Sequence, residues 1–450
     1  MRLGAIVFAT ILLSAGLVQP ARADMVAGNA AFERGDYARA LAELMPPAKN
    51  GNPAAQVKVG IMYQDGLGVA RDPEEALRWY ASAAKRKSPT AMWRIGQMYQ
   101  RGEVVPQDYQ KARGWYKRAA EFGSMAAEYN AAMLYLAGKG GPVDVEEAVT
   151  RLRRAAAGNV LYAKVQLAEL YLAGQGVPRD VGAALSLYRD AAEAGNPSAQ
   201  VALGDLFSAG EHVAKDEADA FKWYSRAAEQ GSNAAQFKLA KLFRNGVGTK
   251  KDPAKAAELF QKTAAQGNAW AQLQLAAMYL NGEGVARDPE RAIELYRRAA
   301  DQGNALAPIQ MANVYRDGNG VPPDYDRAIA LYETAIDKGD PAGAFGLASM
   351  YARGLGVSQD HRKSRGWYHW GAMRGHVPSM VSMGSIYRYG RGSRWGRNRG
   401  IRKNLEQALH WYQLAAEHGN ETAAKAVKEL TTRSSANSAV SEEMRQGTSH

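Results

Sequence analysis

The chain has 450 residues, 23% of them charged and 46% hydrophobic, and it contains no cysteine. Disulfides and an N-terminal lipid on cysteine are therefore excluded, and stability has to come from packing. The net charge of +12 is unevenly placed: residues 361–450 hold 15 Lys or Arg against 6 Asp or Glu, residues 1–23 carry +2, and +1 remains for residues 24–360. Electrostatic recognition is to be sought in the C-terminal fifth.

Residues 1–23 read as a secretory signal. Arg2 gives the positive start, Leu3 to Val18 the apolar run, and Ala21-Arg22-Ala23 the cleavage site before Asp24. The apolar run falls short of the roughly 20 residues that span a bilayer, which disfavours an uncleaved anchor. No later stretch is apolar enough to cross, so the mature chain is expected in the periplasm, with secretion as the alternative. Residues 24–49, with Ala31, Phe32, Tyr37, Ala40, Leu41 and Leu44 at helical spacing around Gly35-Asp36, predict a capping helical hairpin.

A regular array follows. Tyr63, Tyr99, Tyr135, Tyr171, Phe207, Phe243, Tyr279, Tyr315, Tyr351 and Tyr387 recur every 36 residues. A second column, Tyr80, Tyr116, Tyr188, Tyr224, Phe260, Tyr296, Tyr332 and Tyr368, keeps the same period, and the third repeat departs from it with Arg153 read in the aromatic's place. In the second helix of the first repeat, Ala76, Trp79, Tyr80, Ala83 and Ala84 share one helical face, so the Trp and Tyr columns are read as core. Each unit is a two-helix hairpin that cannot bury its apolar faces alone and must stack on its neighbours.

The punctuation is equally regular. Gly-x-Gly-Val turns such as Gly174 to Val177 and Gly282 to Val285 end the first helix, here called helix A, with glycines able to take positive φ. An Asp then starts the second, helix B, as in Asp72-Pro73 and Asp288-Pro289, and Glu75 is placed to close a capping box. These carboxylates are read as caps, and the glycines as turns without the spacing of a phosphate-binding loop. Alternating A-x-x-x-L-A-x-x-Y, G-x-G-V, D-x-x-x-A and W-Y-x-x-A-A elements over about residues 50–430 resemble the SEL-one-like repeats, a branch of the tetratricopeptide-type helical solenoids. The resemblance implies an all-α, right-handed superhelical solenoid of about ten 36-residue helix-turn-helix repeats, spanning residues 50–432. It also implies a protein-binding adaptor, and exported bacterial members are similar to factors in exopolysaccharide export, envelope signalling or host interaction. Lipid-anchored and disulfide-stapled members depart from this cysteine-free chain.

Two surfaces are candidates for binding. In the tenth repeat Trp411-Tyr412 come 44 residues after Trp367-Tyr368, which places an insertion at 393–400. It adds Arg394, Trp395, Arg397 and Arg399 to a loop flanked by Arg391, Arg402 and Lys403, a set suited to an acidic peptide or an anionic polysaccharide. The second surface is a pair of variable helix A columns expected to line the concave groove, where a peptide-like segment of a protein partner would be read. One column contributes Lys58, Arg94, Asn130, Gln166, Lys238, Gln274 and Gln310, and the other Arg101, Asn245 and Asn281. Nucleic acid is disfavoured by the exported address, and residues 433–450 are polar, Ser-rich and expected to be disordered.

Catalytic patterns are lacking. Ser82-Ala83-Ala84-Lys85 matches an S-x-x-K element, but its S-D-N and K-T-G partners are absent. His361, His369, His376, His410 and His418 cluster in sequence without making H-E-x-x-H or an i, i+4 pair, and a zinc site assembled from them is a minority reading. The sequence thus predicts a non-catalytic, cofactor-free scaffold of the cell envelope, with a secreted binder of a host or foreign protein as the alternative. A cell-wall or β-lactam-directed hydrolase is the distant rival.

Overall fold

The computed structural model describes residues 25–390 and 402–432, and among them the regular structure is entirely α-helical. The signal-like segment 1–23, the insertion 393–400 and the tail 433–450 lie outside the described residues, as do Arg391, Arg394, Trp395, Arg397 and Arg399. Two helices, Met25–Glu33 and Tyr37–Lys49, precede the repeats, ten hairpins of two short helices follow as far as Glu417, and a single helix over 421–432 ends the described residues.

Repeat seven shows how the sequence builds a hairpin. Asn268 accepts the Ala271 N–H and starts helix A (Ala269–Asn281), and Gly282 ends it at φ 66°. Gly284 has φ 72°, and a Cβ there would collide with the Pro253 carbonyl of the preceding hairpin, so both the left-handed backbone and the close approach require glycine. Asp288 then accepts the Arg291 N–H and starts helix B (Pro289–Asp301), with proline at the first helical position, where no N–H is needed.

One further bond ties every hairpin. The N–H of the helix B cap residue donates to the carbonyl of the helix A aromatic, from Asp72 to Tyr63 through Asn404 to Tyr387, at 2.7–3.1 Å in all ten repeats. Glu75 does not close the expected capping box. The Asp72 N–H is already given to Tyr63, and the Glu75 carboxylate instead accepts from Arg78 at 2.9 Å. The Asn404 bond shows that the tenth hairpin closes as the others do although eight residues are added between its helices.

The chain divides into two compact units, Met1–Leu203 and Gly204–His450, with the division inside the helix A of repeat five, Pro197–Ala209. In each unit the helix B aromatics form the core. Tyr80 and Tyr116 are fully buried in the first unit, and Phe260 and Tyr332 in the second. Such rings bury roughly 150–250 Å² each and dominate core energetics. Several need a glycine on the facing helix A: a Cβ at Gly60 would stand 2.6 Å from the Tyr80 ring, and one at Gly384 would stand 2.7 Å from that of Tyr412.

A buried glutamine supplies the joint between successive hairpins. Gln56 and Gln200 in the first unit, and Gln236 and Gln272 in the second, donate from Nε2 to the carbonyl eight residues earlier at 3.0–3.3 Å. Each thereby accounts for its own buried amide donor. Repeat three differs, and it corrects the register read from the sequence. Leu152, fully buried, takes the aromatic's place, whereas Arg153 is exposed and donates to the Tyr171 hydroxyl at 3.1 Å. The residue that breaks the pattern there is Arg151, which stands where other repeats carry Trp or Leu.

Candidate functional site

The outward side of helix A is where a partner would find side chains not consumed by stacking, and the structure divides the candidate residues on it. The first column is largely engaged. Two members meet rings of the preceding hairpin: the Lys58 ammonium sits 5.1 Å from the ring centre of Phe32 in the helix Met25–Glu33, and the Asn130 side chain lies against the hydroxyl of Tyr116 on the preceding helix B. Arg94 stacks on Trp93 at 5.2 Å. In the second unit Lys238 pairs with Asp205 at 2.8 Å and lies over Tyr224 at 5.8 Å. Gln274 accepts from Arg244 Nη1 at 2.7 Å, while Arg244 Nε and Nη2 both donate to Glu283. Gln166 donates to Glu169 at 2.6 Å.

The second column stays open. Asn245 and Asn281 are exposed, as is Gln310 at the end of the first column, and Arg101 makes only a surface pair with Glu103 at 3.2 Å. The hydroxyls of the buried tyrosines bond to side chains of helix A. Tyr80 and Tyr116 donate to Gln64 and Gln100 at 2.7 and 2.6 Å, and Tyr332 donates to Asn313 at 2.6 Å while accepting from Arg316 at 3.0 Å. Burial pushes the phenols of Tyr116, Tyr296 and Tyr332 up to about 12, so all stay protonated donors at physiological pH.

A third group was not anticipated from the sequence. A Lys or Arg lies over the helix A aromatic in Lys111–Tyr99, Lys255–Phe243, Arg291–Tyr279, Arg327–Tyr315 and Lys363–Tyr351, at 5.0–5.5 Å. Each cation is 12 residues after its ring, so the 36-residue period carries the signal. Two surface depressions of about 450 and 500 Å³ lie beside the turns, the first lined by residues including Tyr315, Pro323 and Arg327 and the second by residues including Phe243 and Lys250. Neither contains a candidate residue.

A model of the Sel1 repeat matches the chain ten times without a long gap, from residues 53–88 to 377–420. The chain belongs to the Sel1 repeat family. Sel1 repeat proteins generally act as non-catalytic protein-interaction scaffolds. Among solved structures, the chain is similar to a protective antigen present in uropathogenic Escherichia coli strains that displays an SLR fold. The two are 29% identical over 87% of this chain and 90% of the other, with a TM-score of 0.61. It is also similar to a Sel1 repeat protein from Oxalobacter formigenes, at 33% identity over 53% of this chain and 98% of that one, with a TM-score of 0.51. No curated protein matches.

The residues of this Sel1 chain that suggested other chemistry have structural partners. Ser82 Oγ accepts from Gln56 Nε2 at 3.1 Å. His376 packs on Phe345 and shares a 2.8 Å bond with Ser379, and His369 and His410 both pack edge-on with Trp411. Among the described residues no three His, Asp or Glu converge as metal ligands, and no helix is long and apolar enough to cross a membrane. Of the basic loop, Arg402 and Lys403 are described, and both are exposed ahead of the helix Leu405–Glu417.

Proposed function

We propose that this Sel1 repeat protein is an adaptor of the cell envelope, exported to the periplasm, which assembles or regulates an envelope or exopolysaccharide-related complex without catalysing a reaction. One observation carries the scaffold part: ten repeats run from residue 53 to 420, and the described helix B aromatics and capping residues in them serve to build and stack the hairpins. What remains for function is surface. The envelope part rests on the Arg2, Leu3–Val18 and Ala21–Ala23 pattern of the first 23 residues. The basic loop, with Arg391, Arg394, Trp395, Arg397, Arg399, Arg402 and Lys403, suits an acidic protein segment or an anionic polysaccharide.

Crosslinking and capture from envelope extracts, with and without residues 393–400, tests the reading. Loss of a specific partner on deletion supports the loop as a contact, and an unchanged set of partners removes it. Fractionation against periplasmic markers tests the address. The likeness to a protective antigen favours a second reading, a secreted factor that binds a host protein, and recovery of the chain from the medium rather than the periplasm would support it.

A further inference from the structure

The joint between hairpins nine and ten departs from the others at three positions that meet one another. Helix A begins in most repeats on Asn, Ser or Asp whose side chain accepts a helix N–H, as Asn52, Ser232, Asn268 and Asp340 do. Helix A of repeat ten (Val377–Tyr389) begins on His376, which makes no such bond. Three residues on, the position that is a fully buried alanine every 36 residues from Ala55 through Ala307 becomes Ser379, also fully buried. On helix B of repeat nine (His361–Ala372), Gly371 takes the place of Ala299 and Ala335, and a Cβ there would stand 2.7 Å from the Ser379 oxygen. His376 Nδ1 and Ser379 Oγ meet at 2.8 Å. The glycine thus makes room for a hydroxyl whose one side-chain partner among the described residues is the histidine.

A buried hydroxyl needs an acceptor, and Nδ1 of a neutral imidazole with its hydrogen on Nε2 supplies one. A protonated ring has no acceptor, so the bond cannot keep this sense once His376 is charged. The ring is also half-buried. It packs edge-on to Phe345 of helix A of repeat nine (Pro341–Arg353) at 5.3 Å, and Phe345 packs in turn on Tyr368 of helix B at 5.5 Å. Burial holds the imidazole below its ordinary pKa, and the Asp340 carboxylate, which caps helix A of repeat nine, pulls the other way. Arg374, two residues before the ring, is stacked on Trp370 at 3.8 Å, and helix A of repeat ten carries no ionisable side chain from Val377 to Ile386. We infer that His376, Ser379 and Gly371 form an acid-sensitive latch, closed on hairpin nine by the neutral ring and released when the ring takes up a proton. The stability it adds is fully present above the unfolded histidine value near 6.5 and is lost as pH falls through the lower folded one. Acid thereby loosens the hairpin that carries Arg402 and Lys403.

The test is hydrogen exchange of the full chain, read by mass spectrometry over a pH series from about 7.5 to about 5 and corrected for intrinsic rates. Helix A of repeat seven, Ala269–Asn281, is the internal reference. Opening of Val377–Tyr389 relative to that reference should rise at least about threefold across the series. His369 and His410 lie against Trp411 of hairpin ten, so the variants assign the effect. His376→Asn restores a common starting residue and should abolish the rise; a rise that survives it overturns the inference. Ser379→Ala restores the common alanine, so the helix should stay folded at the upper pH while the rise shrinks. An undiminished rise in that variant means that the hydroxyl bond is not the sensor, and the latch falls. Asp340→Asn keeps a capping side chain and removes the opposing charge, so the midpoint should move to lower pH. A midpoint that does not move down overturns the latch as well, because a purely structural histidine would not respond to that charge.

Discussion

Repeats three and seven close the same joint with different chemistry. In repeat seven Gln272 donates to the Ala264 carbonyl and accepts from Gln302 at 2.8 Å, beside the apolar Leu295 and the buried Tyr296. In repeat three the matching positions are Glu128, Arg151 and Leu152. Arg151 donates to Glu128 at 2.7 Å and to Glu147 at 2.6 Å, and Glu128 also pairs with Arg154 at 3.3 Å. The Glu128 and Arg151 side chains are each only 6% exposed. Burial opposes the Arg151 charge, but Glu128 and Glu147 hold its pKa above the ordinary guanidinium value. The wall over the helix A ring changes as well. Tyr279 is covered by Arg291, whereas Tyr135 faces Glu147's position and is covered by Arg113 at 3.7 Å and Arg151 at 5.4 Å. One backbone slot thus admits either a neutral or an ionic solution, provided the paired positions change together.

Breaking the ionic version should have the largest effect. Arg151→Leu restores the residue of repeat seven but leaves the Glu128 carboxylate buried with only the surface Arg154, a loss of about 3–5 kcal/mol. Adding Glu128→Gln should recover most of it, because the amide can then bond as Gln272 does. Hydrogen exchange in the helix Met125–Leu136 reads this better than global melting, since long repeat arrays need not unfold in one step. A neutral Arg151→Leu would show that the two solutions are not coupled.

The second contrast is titratable. Burial raises the Tyr296 phenol to about 12, above the ordinary value near 10, so the fold holds its proton where the unfolded chain has lost it. The associated stability is fully present below about pH 10 and lost as pH rises through about 12, to a limit of about 2–3 kcal/mol. Repeat three, with Leu152, has no such term. Tyr296→Phe should flatten the local exchange profile of repeat seven between pH 9 and 11.5, and an unchanged slope would show that the phenol is not the titrating group.

Converting the neutral joint halfway is the third test. Gln272→Glu removes the donor to the Ala264 carbonyl and sets the new acid opposite Leu295, where repeat three has the buried Arg151, leaving it only the exposed Arg298, already paired with Glu294, at a cost of about 1–3 kcal/mol near neutral pH. The destabilisation should shrink as pH falls and the new carboxyl protonates. Pairing the change with Leu295→Arg should rescue it if repeat three is a transferable pattern.

The extent to which the sequence announced all this follows from periodicity. The two aromatic columns, the turn glycines and the capping Asp residues repeat every 36 positions because each hairpin needs them, so the stacking is legible in the sequence. The joint at Glu128 was not, because an acid in a variable helix A column reads as a solvated residue, and its partner Arg151 lies 23 positions away on another helix. A one-residue slip compounded this by placing Arg153 where Leu152 stands. The first groove column illustrates the same limit: Lys58, Asn130 and Lys238 vary in type, yet each sits against an aromatic of the preceding hairpin or its hydroxyl, so variation there did not signify freedom.

The smallest effect tests the surface layer of the comparison. Arg291 lies 5.0 Å above Tyr279 in repeat seven, and its counterpart in repeat three, Glu147, binds Arg151 instead. An exposed cation–π contact contributes about 0.5–1 kcal/mol, so Arg291→Ala should cost that much and little more. Glu147→Ala removes a charge partner from a guanidinium that is buried and already lacks a hydrogen bond at Nε. Its cost should therefore exceed that of Arg291→Ala even though both residues occupy the same place in the repeat. Equal costs in chemical denaturation would mean that Glu128 alone satisfies Arg151, and that the ionic joint is a pair with Glu147 as a bystander. An excess for Glu147→Ala that disappears in the Glu128→Gln, Arg151→Leu background would instead establish the three residues as one unit.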